Sequence, residues 1–128
     1  MFSQESIEKL KDVRDRIQYI FNICKEHKGI SIALEDTEQA QPAIIMHFIV
    51  CKENIEKITY YGDDIFEIFS KEEIVGFRGI RNIASHDYDG LNLAIIEKTI
   101  REFLPQIKDR IDTFLEQQEN VFTHKKAH

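Results

Sequence analysis

Between Gly76 and Gly90 the chain reads G-F-R-G-I-R-N-I-A-S-H-D-Y-D-G. This short span gathers Arg78, Arg81, Asn82, Ser85, His86, Asp87, Tyr88 and Asp89. An arginine can grip phosphoryl oxygens with two parallel N–H donors, and a histidine exchanges protons near neutral pH. The types present therefore suit chemistry at a phosphate. The apolar residues Phe77, Ile80, Ile83 and Ala84 are spaced three, three and one apart, which predicts a helix with one apolar face. On that helix Arg81 and Ser85 share a side, as do Asn82 and His86. Arg81 and His86 are five residues apart, about 140° around the axis. They meet over one substrate only if the helix ends near Ser85 or if a second chain closes the site. Asp87-Tyr88-Asp89-Gly90 offers such an ending, since glycine takes the left-handed conformation without penalty. In the bland alternative Arg81 pairs with an acid such as Glu53 and His86 only caps its helix.

Four amphipathic segments must hold this stretch in place. The first is predicted from about Gln4 to His27, with Ile7, Leu10, Val13, Ile17, Ile20, Phe21 and Cys24 on one stripe. Ser3 and Ser6 are alternative caps for its start, and Gly29 is its expected stop. Residues 30–39 carry no clear pattern. The second segment runs from about Ala40 to Tyr60, with Pro42 in its first turn. From Ala43 to Cys51 it is nearly apolar all round, interrupted by His47, which predicts a central helix or one shared with another subunit. His47 reads as a satisfied core or interface histidine, and Glu53 as the one acid close to that apolar stretch. Ile65, Phe66 and Phe69 suggest a short turn. Ser70 and Glu73 then form a capping box that launches the third helix, Lys71 to Ser85. Gly79 inside it reads as close helix packing, a tolerated defect, or an approach path for backbone or ligand. Asn92 caps the last segment, Leu93 to Gln118, which Pro105 should kink or divide. The pattern predicts one all-α domain over residues 1–119, an antiparallel, up-and-down four-helix bundle with a kinked last helix, and a flexible tail over 120–128. A core this modest, with so broad an apolar second helix, predicts a homodimer with twofold symmetry.

Composition narrows the chemistry. Seventeen lysines and arginines against 23 acids leave a net charge of −6. That argues against wrapping by duplex DNA, which wants a broad basic face, but leaves room for a small basic site in an acidic body. The two cysteines, Cys24 and Cys51, sit in apolar patterns and read as buried free thiols. There is no P-loop, no H-E-x-x-H, no C-x-x-C and no repeated E-x-x-H pattern, so metal-free chemistry without a cofactor is expected. No signal, lipidation motif or membrane-length apolar run appears, which makes the cytoplasm the expected location and a membrane partner unexpected.

Arg81-Asn82-Ile83-Ala84-Ser85-His86-Asp87-Tyr88 reads as arginine, four residues, histidine, any residue, tyrosine. With the chain length, the helix order and the Asp89-Gly90 turn, this resembles the HepT-like branch of the HEPN superfamily. These are small helical ribonuclease toxins paired with minimal nucleotidyltransferase antitoxins. The resemblance implies a homodimer whose two motif copies face a shared cleft. It implies Arg81 and His86 as the catalytic pair, and Tyr88 as the hydroxyl that the partner modifies with AMP. Asn82 matches the polar residue that often follows the arginine; Arg78 and Ser85 are further candidates for positioning RNA or phosphate, and Glu53 for a supporting acid. Where relatives often carry Gly-Glu in the second helix, this chain has Lys52-Glu53. Where they often carry Pro-Trp before the third helix, it has Ser70-Lys71. The implied function is a metal-independent endoribonuclease toxin of a type VII-like toxin–antitoxin pair, acting on RNA such as tRNA or mRNA. A different class is an inactive HEPN adaptor, or substrate-binding subunit, of a nucleotidyltransferase.

Overall fold

In the computed structural model, backbone is described for residues 2–86 and 93–126, and side chains for residues 2–80 and 93–119. The chain is all-α, with no strand among the described residues. Helix α1, Gln4–Glu26, begins at Ser3, whose Oγ accepts the Ser6 N–H at 3.2 Å. Asp63 secures the same corner: it accepts from the Ser3 N–H and the Ser3 hydroxyl, both at 3.1 Å, and from the Ser6 hydroxyl. The end of α1 differs from the expected glycine stop. Lys28, at φ 63°, takes the left-handed place, and the Gly29 N–H reaches back to the Cys24 carbonyl at 2.9 Å. The patternless stretch then yields a short helix, α2, Ile30–Glu35.

Helix α3, Ala40–Tyr60, has the predicted bounds. Gly62 closes it at φ 91°, a backbone region that a Cβ would strain. A 3₁₀ turn, Ile65–Glu67, leads to helix α4, Lys71–His86, one residue longer than predicted. The capping box forms as expected: Glu73 accepts the Ser70 N–H at 2.7 Å, and the Ser70 hydroxyl accepts the Glu73 N–H at 3.1 Å. Glu73 is buried and also pairs with Arg110. The first turn of α4 is therefore tied both to itself and to the C-terminal helix.

The last segment is helical from Leu93 but changes pitch. Helix α5, Leu93–Lys98, passes into a π-helical turn, Thr99–Phe103, and then α6, Leu104–Lys126. Pro105 explains the change, because it has no N–H to give to the preceding turn and its ring crowds the carbonyl four residues back. The widened turn shows in the Leu104 N–H, which bonds the Thr99 carbonyl five residues earlier. Ahead of this turn Ile96 and Ile100 are buried, whereas Ile95 is 52% exposed. The helical backbone continues eight residues beyond the predicted end at Gln118. The Gly90 turn and the Asn92 cap lie outside the described residues.

The core joins Leu10, Val13, Ile17 and Ile20 of α1, Ile44, Phe48, Cys51 and Ile55 of α3, Phe77 and Ile80 of α4, and Leu104, Ile107 and Ile111 of α6. Phe77 sits between Phe48 (ring centroids 5.9 Å apart) and Phe69 (6.2 Å). This aromatic contact sets α4 against α3. Among the described residues no helix is long and apolar enough to cross a membrane.

Candidate active site

Helix α4 buries one arc and frees the other. Glu73, Ile74, Phe77 and Ile80 are buried, whereas Lys71, Glu72, Val75 and Arg78 are exposed. Extending this register at about 100° per residue sets the Asn82 and His86 positions in line with the free arc. The Arg81 position falls in line with Ile74 and Phe77, at the edge of the buried arc. Because α4 is helical through His86, one residue past the expected end, the two motif positions lie about 140° apart around its axis. The side chains of Arg81, Asn82, Ser85 and His86 lie outside the described residues, and so does Tyr88 altogether.

The glycines of α4 sharpen this picture. A Cβ added at Gly79, or at Gly76, would meet nothing within 4 Å among the described residues. Among the described residues of one chain, no helix packs closely at Gly79. The two glycines leave the outer side of α4 low and open just before the motif.

Arg78, the first arginine of the stretch, lines a cavity of about 270 Å³ between α3, the 3₁₀ turn and α4. Ile55, Ile65, Ile74 and Phe77 supply apolar walls, and Lys52, Glu56, Lys71 and Arg78 supply charge. Lys52 is buried and pairs with Glu56. Lys71 and Arg78 have no ion-pair partner among the described residues. Lys52 and Lys71 both line this one cavity. Glu53 does not. It is half-buried and borders a shallow hollow with Glu56, Lys57 and Tyr60, and no described arginine pairs with it. Reading the motif alone passed over Lys52, Lys71 and Phe66. The spacing of Lys71 and Arg78, seven residues or two helical turns, was the available signal.

His47 stands apart, between α1 and α3. Its Nδ1 accepts from the Arg16 guanidinium at 3.3 Å, and the Tyr19 ring lies 5.5 Å away. Burial, helped by the Arg16 charge, holds its pKa below the ordinary histidine value. Its apolar setting predicts a satisfied core or interface histidine; within this chain it is half-buried and hydrogen-bonded at the contact of α1 and α3. Burial also raises the Cys24 thiol and pushes Cys51 up to about 12, so both stay protonated. Among the described residues no group of three or more His, Cys, Asp or Glu is placed to hold a metal ion.

A family model described as "Ribonuclease HepT-like" matches residues 4–114, from the start of α1 well into α6. The chain belongs to the HepT-like family. No curated protein and no solved structure matches it. In this HepT-like chain the matched span contains α4 entire, together with the cavity beside it.

Proposed function

We propose that this HepT-like chain is a metal-independent endoribonuclease toxin that works as a homodimer of four-helix-bundle subunits. One observation carries the reading: in a HepT-like chain, a single uninterrupted helix bears Arg81 and His86 about 140° apart. One copy of such a helix serves two sides of a cleft poorly, while two copies facing each other supply an arginine and a histidine to each phosphate. Exposed Met46 and Tyr60 on α3 leave apolar surface for a second subunit.

RNA brings its own nucleophile. His86 takes the proton of a ribose 2′-hydroxyl, and that oxygen attacks the adjacent phosphorus. Arg81 binds the phosphoryl oxygens and stabilises the charge that grows on them. The 5′-oxygen leaves as a hydroxyl, protonated from solvent. A 2′,3′-cyclic phosphate remains, which water opens to a 3′-phosphate. Arg78, Asn82 and Ser85 position the strand; Glu53 supports from α3. A cognate minimal nucleotidyltransferase neutralises the toxin by moving AMP from ATP to the Tyr88 hydroxyl, releasing pyrophosphate. The added phosphodiester competes with RNA for Arg81, and the adenylate blocks the cleft.

The test incubates purified protein with tRNA and single-stranded RNA in EDTA. Expected products carry cyclic or 3′-phosphate ends, and His86→Ala yields none. EDTA-resistant cleavage that survives in uncontaminated His86→Ala protein removes the assigned role. RNA binding without any cleavage by the parent favours the adaptor instead. Intact mass and peptide mapping after treatment with the nucleotidyltransferase and Mg-ATP test the regulation: AMP maps to Tyr88 and cleavage stops.

A further inference from the structure

The cavity beside α4 combines features that a core defect would lack. It brings three cations and one carboxylate to a single opening in a chain of net charge −6. Lys52 is occupied with Glu56, so the available positive charge is that of Lys71 and Arg78. These two stand two turns apart on the free arc of α4, the arc that leads on toward His86. From Lys71 to His86 the helix rises about 22 Å, the reach of a short run of extended nucleotides. At the mouth, Phe66 keeps 61% of its surface exposed, so its ring face is open to a ligand. Its neighbour across the opening, Val75, is 57% exposed. At about 270 Å³ the space is smaller than most small-molecule pockets and suits one flat ring.

We propose that this cavity is a subsite for one unpaired base of the RNA, stacked on Phe66, with the flanking phosphates held by Lys71 and Arg78. The assignment rests on the ribonuclease reading and adds to it the substrate class: single-stranded RNA several nucleotides long. The base is read by its face rather than its edge, because the walls offer apolar surface and few fixed donors or acceptors. Stacking of this kind tolerates different bases. The charges supply the anion complement, and an acidic body without a broad basic face disfavours a duplex. The subsite thus anchors the strand on one side of the cut and leaves the scissile phosphate to the end of α4.

The test measures fluorescence anisotropy of an end-labelled single-stranded RNA of about ten nucleotides. The protein is the full-length chain in the His86→Ala background, so that the probe stays intact. Phe66→Ala is expected to weaken binding about tenfold, and Phe66→Tyr, which keeps the ring, to bind as the parent does. Lys71→Ala and Arg78→Ala should each flatten the slope of log affinity against log salt by about 0.7. Phe66 is exposed, so its loss leaves the fold intact, which circular dichroism checks. Binding that ignores Phe66→Ala overturns the subsite. So does displacement of the probe by free AMP, or by an acidic decapeptide, at the concentration at which unlabelled RNA displaces it. A protein that cuts RNA but binds it independently of Phe66 loses this subsite alone. A parent that neither cuts nor binds RNA loses the ribonuclease reading and the subsite together.

Discussion

Helix α3 takes part in two seams, and they are finished differently. Toward α1, apolar packing is completed by polar pairs. The Asn54 side-chain amide donates to Asp12 at 2.8 Å, Arg16 reaches both Asp12 and His47, and the Cys51 thiol lies 3.9 Å from the Val13 carbonyl. Toward α4, the Phe48–Phe77 contact closes the middle, but the seam then opens into the cavity with Lys71 and Arg78 unpaired among the described residues. A chain with buried polar groups fully satisfied on one side gains nothing in stability from leaving cations free on the other. The contrast separates surface that holds the fold from surface available to a ligand.

The largest expected effect comes from the residue that both seams share. Phe48 is fully buried, and Phe48→Ala should cost about 3–5 kcal/mol in urea unfolding. A cost under about 1 kcal/mol would mean that the two seams do not meet at this ring. Next, polar deletions on the two sides should separate cleanly. Asn54→Ala leaves Asp12 without its amide donor and should cost about 1–3 kcal/mol. Lys71→Ala should stay within about 0.5 kcal/mol, because its charge holds nothing in the fold. Equal costs would erase the distinction.

The pH dependence of the closed seam gives a smaller, directional test. His47 has a folded pKa below its unfolded value, so it folds neutral and the unfolded chain binds the proton more readily. Its contribution is complete above the unfolded value, about 6.5, and is lost as pH falls toward the folded value. His27 does the reverse. Its Nδ1 donates to the Ile23 carbonyl at 2.8 Å and, with Asp36 close by, its pKa is raised. Its contribution is complete below about 6.5 and is lost as pH rises through the folded value. Melting curves between about pH 5 and 8 should therefore show the gap between parent and His47→Gln widening in one direction and that for His27→Gln in the other. Gaps moving together would contradict the assignment. The smallest effect is kinetic: a thiol reagent should label neither Cys24 nor Cys51 until the chain unfolds, since both are buried and protonated.

Much of this was legible in the residues. The bounds of α3, the Ser70–Glu73 box, the pitch change forced by Pro105 and the buried thiols follow from local rules that tertiary packing did not override. The misses have local causes too. Lys28 took the left-handed turn that Gly29 seemed to claim, because glycine was needed one position later. For the site, the motif pointed to α4, but the cavity depends on where Phe66 and Lys52 arrive from two other elements, and spacing along one helix cannot reveal that. Nor could it show that no described residue approaches Gly79.

The central claim is that the ends of two α4 helices together make the cutting site. Two inactive variants decide it: Arg81→Ala and His86→Ala, purified with different tags as homodimers and, after coexpression, as the mixed dimer. If each site draws its arginine from one subunit and its histidine from the other, both homodimers are silent and the mixed dimer, with one intact site, recovers EDTA-resistant RNA cleavage. A mixed dimer as silent as either homodimer, or a homodimer that still cuts, would contradict the account.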